Sequence, residues 1–256
     1  MIKKKRKVCV IVNSRANYAR SKYVLDEIRK NTKLDLYIIL GASGLLDRYG
    51  DLKNILKNDG FKKFEMAYTI VEGGNPTSMA KSTGLGIIEL STIFSNLKPD
   101  IVLTIADRFE NLATAVASTY MNIPLAHTQG GEVTGSIDES VRHAITKLAH
   151  IHFPSTKKSK ENLIRVGENP DYIFLTGCPS IDLAYNCDKS WPDKKLNIQT
   201  GVGNKIDQAK KFLLVLQHPV TTEYGSAKFQ VSQTLSAIKK VGIQTIWLWP
   251  NIDAGT

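Results

Sequence analysis

The stretch DIVLTIADRFENLATAVASTYMNIPLAHTQ, residues 100–129, contains one full repeat of the architecture that we predict for this chain. An apolar, β-branched run at 100–107 is followed by a helical periodicity at 109–121 and by a second apolar run at 123–129. Runs that are apolar on both faces are typical of strands in a parallel sheet that helices cover on both sides. The stretch therefore predicts a strand, a helix and a second, parallel strand.

The same alternation extends in both directions from this stretch. Further strands are predicted at 8–14, 34–40, 150–155, 172–177, 212–218 and 244–251. Further helices are predicted at about 18–31, 51–59, 79–98, 138–149, 157–167 and 226–240. The helix at 79–98 has an apolar stripe that we expect to face the core, formed by Met79, Leu85, Ile88, Leu90, Ile93, Phe94 and Leu97. Regular alternation of this kind predicts an α/β fold built on a doubly wound parallel sheet.

The composition is that of an ordinary globular protein. The chain has 256 residues, of which 42% are hydrophobic and 23% are charged, and these values argue against disorder, collagen or a coiled coil. Apolar runs such as FLLVLQ at 212–217 are far shorter than the roughly 20 residues of a membrane-spanning helix. We therefore expect no membrane segment.

The cysteines and the N-terminus indicate a cytoplasmic protein. Cys9, Cys178 and Cys187 are scattered and form no CxxC pair, which argues against a disulfide framework or a zinc site and suits a reducing compartment. The start of the chain, MIKKKRKVCVIV, has no small-residue cleavage site after its apolar run and predicts a buried strand rather than a signal peptide. We expect no metal.

The formal net charge of +10 raises the question of a nucleic-acid partner. The basic run KKKRK at 3–7 is the strongest signal of this kind, but such runs are usually solvated surface. No aromatic side chains interleave the remaining lysines as a base-stacking surface requires. We expect no nucleic acid as partner, and a phosphorylated small molecule accounts for the charge equally well.

A change of composition divides the chain. Residues 186–211 are polar, lysine-rich and weakly periodic, so we place a connection there between a complete Rossmann-like domain at 1–185 and a segment at 212–256. Two parallel strands and one crossover helix cannot cover both faces of a sheet. The segment 212–256 is therefore expected to be the incomplete beginning of a second α/β domain, or to join the first sheet or a partner chain.

The candidate chemistry lies where predicted strands end. Ligands of doubly wound sheets bind beyond the carboxyl ends of the strands, and Asp107, Gln129, Asp138 and His218 all lie at such ends or in the loops that follow. Carboxylates near an arginine predict an acid/base site beside an anion site. No GxGxxG follows the first strand, so the dinucleotide fingerprint is absent there.

Each of these residues also has a simpler interpretation. Arg15 at the start of the first helix suits a phosphate, although it could be an ordinary surface cation. The role of Asp107 could be simply to cap the helix that follows it. Asp138 and Arg142 are one helical turn apart and share a face, but an acidic first turn stabilises any helix.

Longer motifs make a family resemblance visible. They cover nearly the whole chain in order and are VNSRANYAR (12–20), TIADRFENLATA (104–115), IPLAHTQGGEVTGSIDESVRHAITKLAHIHF (123–153), TGCPSIDLA (176–184), LQHPVTTE (216–223) and WPNIDAG (249–255). With these motifs the sequence resembles the hydrolysing UDP-N-acetylglucosamine 2-epimerases of sialic-acid-type sugar biosynthesis. Members of that family continue for about another half-domain beyond the last motif.

The resemblance implies a fold and a reaction. The fold is glycosyltransferase-B-like, with two Rossmann-like domains, and the enzymes form dimers or tetramers and need neither NAD nor a catalytic metal. The substrate is a UDP-sugar, either UDP-N-acetylglucosamine or a UDP-2,4-diacetamido-trideoxyhexose on the way to a sialic or legionaminic acid. Elimination of UDP gives a 2-acetamidoglucal, and addition of water then releases the free 2-epimer.

The resemblance also implies roles for individual residues. It assigns catalytic roles to Asp107, Asp138, Gln129, Glu132 and His218. It assigns UDP-sugar binding to Arg15, Arg108, Arg142 and Asn251. Gln129 departs from the pattern because many members have a glutamate there, and an amide cannot act as a base. Either Glu132 or Asp138 takes that role, or glutamine is a positioning group, or activity is weak.

Two readings of the function besides a hydrolysing epimerase stay open. One is a non-hydrolysing epimerase or a glycosyltransferase of the same fold, because a fold does not determine a function. The other is an inactive or partner-dependent fragment that only binds a sugar nucleotide.

Overall fold

The structure is a computed structural model that describes residues 4–190, 203–207 and 209–256. The chain forms two compact units, Met1–Tyr185 and Asn186–Thr256. Half of the predicted connection at 186–211 lies outside the described residues.

The first unit contains a six-stranded parallel sheet with the strand order β3-β2-β1-β4-β5-β6. The strands are β1 Arg6–Val12, β2 Leu34–Gly41, β3 Glu65–Ala67, β4 Ile101–Ile105, β5 Leu125–Thr128 and β6 Ile151–Phe153. The direction of winding reverses between β1 and β4, which is the switch point where doubly wound sheets bind ligands. The predicted doubly wound α/β architecture is confirmed for this unit.

Helices connect the strands. They are α1 Arg15–Lys30, α2 Leu52–Asn58, α3 Pro76–Leu97, α4 Phe109–Tyr120, α5 Ile137–Leu148, α6 Lys157–Arg165 and α7 Pro179–Asn186. Short 3-10 turns lie at Ala42–Leu45, Asp47–Tyr49 and Pro170–Tyr172. Local sequence fixes the ends of α3: Asn75 and Ser78 form a capping box, and Lys98 ends the helix in the left-handed conformation.

The core lies on both faces of the sheet because alternate side chains of β1 point to opposite sides. Cys9 and Ile11 pack in one cluster with side chains of α3 and α5. Val8, Val10 and Val12 pack in a second cluster with side chains of α1 and α2. The predicted apolar stripe of α3 is buried at Leu90, Ile93 and Phe94. Ile88 is an exception, since it is 67% exposed.

One prediction of local structure in this unit is wrong, and one strand was not predicted. Residues 172–177 form no strand: they follow a 3-10 turn at Pro170–Tyr172, and only Ile173 makes an isolated bridge, to His152. Strand β3 was not predicted because its three residues, EMA, are too few for a periodicity. It exists because its backbone pairs with the end of β2.

The second unit contains a single βαβ repeat in its described part. Strands β7 Leu213–Val215 and β8 Thr245–Trp247 pair in parallel, and a 3-10 turn at Thr221–Ser226 and helix α8 Ala227–Val241 connect them. Helix α8 ends at Gly242, whose φ of 68° is the left-handed conformation that favours glycine. Both strands are shorter than the sequence predicts. Among the described residues, no helix is long and apolar enough to cross a membrane.

Candidate active site

Three strands of the first unit end in strained backbone. Ala42 after β2, Ala106 after β4 and Gln129 after β5 all have left-handed φ values, of 47°, 60° and 60°. This conformation costs a residue with a Cβ roughly 1–2 kcal/mol. Strain of this kind clusters at functional sites, where the surrounding structure maintains it. We call the carboxyl ends of β1, β2, β4 and β5, with the residues that follow them, the rim.

An ion pair joins the rim to helix α5. Arg142 is 2% exposed, and its Nη2 donates a hydrogen bond to Asp107 Oδ2. Its Nη1 donates to the Glu132 carbonyl oxygen at 2.7 Å and to Thr134 Oγ1 at 3.3 Å. Burial lowers the pKa of Arg142, and the charge of Arg20 lowers it further. The guanidinium nevertheless stays protonated, so Asp107 is the counter-charge of a buried cation.

His127 holds the backbone that carries Asp107. The imidazole is fully buried, with Nε2 2.7 Å from the Ala106 carbonyl oxygen and Nδ1 3.3 Å from Thr146 Oγ1. Burial lowers the pKa of His127 to about 4, and nearby His152 lowers it as well, whereas the bond to Ala106 acts in the opposite direction. The ring is therefore neutral at neutral pH. Because a carbonyl only accepts, Nε2 bears the proton and fixes the strained Ala106 directly before Asp107.

A buried set of asparagines supports the rim on its other side. Asn13, after β1, donates through Nδ2 to Asn111 Oδ1 at 3.0 Å, and Asn111 donates a short bond to the Ile105 carbonyl at the end of β4. The backbone N–H of Asn13 donates to Asn17 Oδ1 at 3.2 Å, and Ser43 Oγ donates to the Asn13 carbonyl at 3.1 Å. Sequence reasoning missed these residues. The only sign of their role in the sequence is that the asparagines are polar residues inside the motifs near the strand ends.

Gln129 and the glycines after it are packed closely. Gln129 is 6% exposed, its backbone N–H donates to the Phe153 carbonyl at 3.0 Å, and its Nε2 donates to Cys178 Sγ at 3.2 Å. A Cβ at Gly131 would lie 2.3 Å from the Ser159 carbonyl oxygen, and Gly131 has a φ of 79°. Only glycine fits there, so close packing against helix α6 is enough to explain why residue 131 is a glycine.

The two other arginines predicted for substrate binding lie at helix starts. Arg15 is the first residue of α1 and is exposed, with its guanidinium over Gly50, where a Cβ would come within 2.9 Å of Nη1. Arg108 immediately precedes α4, and its Nε donates to both carboxylate oxygens of Glu110, at 3.1 and 3.2 Å. The sequence did not predict this pairing with Glu110.

The start of α5 carries the remaining acidic residues. Asp138 lies in its first turn, one turn before Arg142, so both project from one face of the helix. Glu139 closes the preceding loop by accepting the backbone N–H groups of Thr134 at 2.8 Å and Gly135 at 2.5 Å. These two bonds lower the pKa of Glu139. Glu132 contributes its backbone carbonyl to Arg142, and its side chain is half-buried.

In the second unit, two predicted site residues lie together. The backbone N–H of Asn251 donates to His218 Nδ1 at 3.1 Å, and Asn251 Nδ2 donates to Asp253 Oδ2 at 2.5 Å. Because Nδ1 of His218 accepts, its Nε2 carries the proton when the ring is neutral. Within the described parts of both units, no group of three or more His, Cys, Asp and Glu is placed to hold a metal ion.

The first unit is thus an α/β unit with a doubly wound parallel sheet and a carboxylate–arginine pair at the carboxyl ends of its strands. The sequence model of the UDP-N-acetylglucosamine 2-epimerase family matches residues 26–256. The chain therefore belongs to the UDP-N-acetylglucosamine 2-epimerase family, and the resemblance seen in the motifs is confirmed.

Two relatives make the likeness more specific. The chain is 36% identical over 250 residues to the UDP-N,N'-diacetylbacillosamine 2-epimerase (hydrolyzing) of Legionella pneumophila, covering 98% of this chain and 65% of the relative. It is 31% identical over 236 residues to the GDP/UDP-N,N'-diacetylbacillosamine 2-epimerase (hydrolyzing) of Campylobacter jejuni, covering 91% of this chain and 60% of the relative. The chain thus spans less than two thirds of the length of either relative.

Solved structures agree on the fold. The UDP-N-acetylglucosamine 2-epimerase of Neisseria meningitidis, solved with UDP-GlcNAc, superposes with a TM-score of 0.75 at 21% identity, covering 96% of this chain and 66% of that one. At this identity the likeness concerns the fold alone. The predicted fold class, α/β and glycosyltransferase-B-like, is confirmed.

Proposed function

We propose that this chain acts in the hydrolysing 2-epimerisation of a UDP-2,4-diacetamido-trideoxyhexose, with UDP-N-acetylglucosamine as the second candidate substrate. The observation that carries the proposal is the Asp107–Arg142 pair on the rim of a 2-epimerase-family fold. It supplies a carboxylate in a fixed position at the place where doubly wound sheets bind ligands. The names of the Legionella and Campylobacter relatives favour the diacetamido sugar.

The proposed reaction has two stages. A carboxylate removes the proton from C2 of the sugar while the C1–O bond to UDP breaks, which leaves a C1–C2 double bond. Water then adds across that bond, with its oxygen at C1 and a proton at C2 on the opposite face, to give the free 2-epimer and UDP. A positioned acid or base contributes about 10²–10⁴ in rate to such steps.

The positions of the residues at the rim suggest a role for each of them in the reaction. We assign the C2 proton to Asp107 and the second acid/base role to Asp138, with Glu132 as the alternative. Arg142 was predicted to bind substrate, but its burial and its bonds to Asp107 and Glu132 favour a role in holding Asp107. We propose that Gln129, which cannot accept the proton, acts by hydrogen bonding.

The departing diphosphate requires cations or backbone donors to carry its charge. We assign this to Arg15, which is exposed at the start of α1, and to Arg108 at the start of α4. In the second unit, we assign the same role, stabilising the charge of the diphosphate, to His218 and Asn251. Helix starts suit this role because their free N–H groups and the helix dipole favour an anion.

We further propose that residues 1–185 form the N-terminal domain, 186–211 the connection and 212–256 part of a UDP-binding domain. The division into two compact units supports this. We also propose that the protein is cytoplasmic and a homo-oligomer, and that it requires no cofactor. The three free cysteines support a reducing compartment.

The test follows the products in heavy water. The chain is incubated with each UDP-sugar in D₂O, and NMR records the products. We expect UDP and a free 2-epimer with one deuterium at C2, with the diacetamido sugar turned over faster. Asp107→Asn should lower turnover by about 10² or more. Release of an epimerised UDP-sugar would indicate a non-hydrolysing epimerase, and binding of UDP without turnover would indicate a binding protein.

A further inference from the structure

Gln129 is a nearly buried residue with hydrogen bonds from both its backbone and its side chain. The residue is 6% exposed and has the strained φ of 60° at the end of β5. Its backbone N–H is bonded to the Phe153 carbonyl of the neighbouring strand. Backbone and side chain are therefore both fixed, and the orientation of the amide is a property of the folded rim.

Cys178 lies at the nitrogen end of this amide. Gln129 Nε2 donates to Cys178 Sγ at 3.2 Å, from the loop that leads into α7. Gln129 Oε1 accepts no hydrogen bond from any residue in the described part of the chain. The oxygen is not fully buried, so it is open to a donor that arrives with a ligand.

We propose that Cys178 is a positioning residue, whose sulfur holds the Gln129 amide so that Oε1 accepts a hydrogen bond from an N–H or O–H group of the reacting sugar. This inference rests on the proposed function. It gives glutamine a role different from that of a glutamate, because the amide accepts a hydrogen bond but does not take a proton. The proton transfers then remain with the carboxylates of the rim.

The kinetic test is a double-mutant cycle. Cys178→Ala removes the acceptor of the Gln129 amide and should lower kcat/KM by about three- to tenfold, which is the usual effect of one hydrogen bond. Cys178→Ser keeps an acceptor and should restore most of this loss. In a Gln129→Met background, Cys178→Ala should have no further effect. Cys187→Ser is the matched control, since Cys187 is exposed, and should leave kcat/KM unchanged.

A second readout does not depend on turnover. The side-chain amide protons of Gln129 give a pair of ¹H–¹⁵N signals, which Gln129→Met identifies by their loss. Cys178→Ala should shift this pair, whereas Cys178→Ser should shift it less and Cys187→Ser should not shift it.

The two readouts separate the failure of this inference from that of the proposed function. If the wild-type chain turns over neither UDP-sugar, the proposed function fails, and the amide signals alone decide on the positioning by Cys178. Unshifted amide signals in Cys178→Ala would overturn the inference. The inference would also be overturned if the losses in kcat/KM of Cys178→Ala and Gln129→Met multiplied in the double variant. A Cys178→Ser variant as impaired as Cys178→Ala would overturn it too.

Discussion

Strand β1 of the first unit and strand β7 of the second are both apolar, yet Val10 is fully buried and Leu214 is 63% exposed. The difference lies in what covers them. In the first unit, six strands have helices on both faces, whereas the described part of the second has two strands and one crossover helix. An apolar strand sequence therefore indicates that the strand needs cover, but the elements packed on the sheet determine whether it is buried.

The same difference extends to the predicted site residues within each unit. The rim of the first unit is supported by buried hydrogen bonds through His127, Asn111 and Arg142. In the second unit, the backbone N–H of Asn251 is hydrogen-bonded to His218, and large apolar side chains of the same unit, such as Phe229 and Trp249, are exposed. Exposed apolar side chains that form a contiguous patch usually mark a place where other protein packs.

The largest expected difference is in local stability. Amides in the core strands of a domain exchange only on global opening, which costs about 5–15 kcal/mol, whereas weakly covered segments open far more readily. We expect the amides of β1 to exchange roughly a thousandfold or more slowly than those of β7. Native-state hydrogen exchange measures both in one sample. Equal protection of the two strands would show that the second unit is as well packed as the first.

The next largest effect should come from breaking the buried ion pair. Arg142→Met leaves the Asp107 carboxylate without its partner and should destabilise the first unit by about 3–5 kcal/mol. Urea denaturation followed by circular dichroism measures this loss. The matched control is Arg165→Met, an exposed position in the last turn of α6, which should change stability by less than about 0.5 kcal/mol.

A cycle with Asp107→Asn sharpens this prediction. The double variant Arg142→Met with Asp107→Asn should lose less stability than the two single losses combined, because removing both charges leaves no unpaired one. Additive losses would show that the pair is not coupled and that Arg142 acts through its bonds to the Glu132 carbonyl and to Thr134.

A third effect depends on pH and again concerns only the first unit. His127 has a folded-state pKa of about 4, below the value of about 6.5 in an unfolded chain. Below pH 6.5 the unfolded chain therefore binds the proton more strongly. Stability is full above that pH and should fall by about 3 kcal/mol as the pH drops toward 4.

Urea denaturation at a series of pH values measures this dependence. His127→Gln keeps an N–H donor for the Ala106 carbonyl but cannot titrate. The slope of its free energy of unfolding against pH should therefore fall by the amount that corresponds to about one proton. An unchanged slope would assign the acid sensitivity to other groups, of which the nearby His152 is the first candidate because burial also lowers its pKa.

Much of the fold could be predicted from the sequence, because local patterns fix local elements. The stretch at 100–129 predicted β4, α4 and β5 to within a few residues. The errors arose where pairing decides: β3 is a strand only through its pairing with β2, and 172–177 is apolar without forming a strand.

The site was predictable only in part, for a related reason. Strand-end position was sufficient to select Asp107 and Gln129, whereas Arg142 was selected by its spacing from Asp138 and by the family resemblance. The partners that hold them lie far away in sequence, such as Cys178 for Gln129, and no periodicity links such pairs. His127 was visible inside a motif, but its role follows from its burial and from its bond to Ala106, and neither is a property of local sequence.

The smallest expected effect is the most direct test of the comparison between the two units. Leu125 on β5 is fully buried, so Leu125→Ala should leave a cavity and cost about 2–5 kcal/mol. Leu214 on β7 is mostly exposed, so Leu214→Ala should cost less than about 0.5 kcal/mol. Tryptophan fluorescence suits the second measurement, because the three tryptophans of the chain all lie beyond residue 185. A loss of 2 kcal/mol or more at Leu214 would show that other protein covers β7 in solution, and the exposed apolar surface of the second unit would then be an interface.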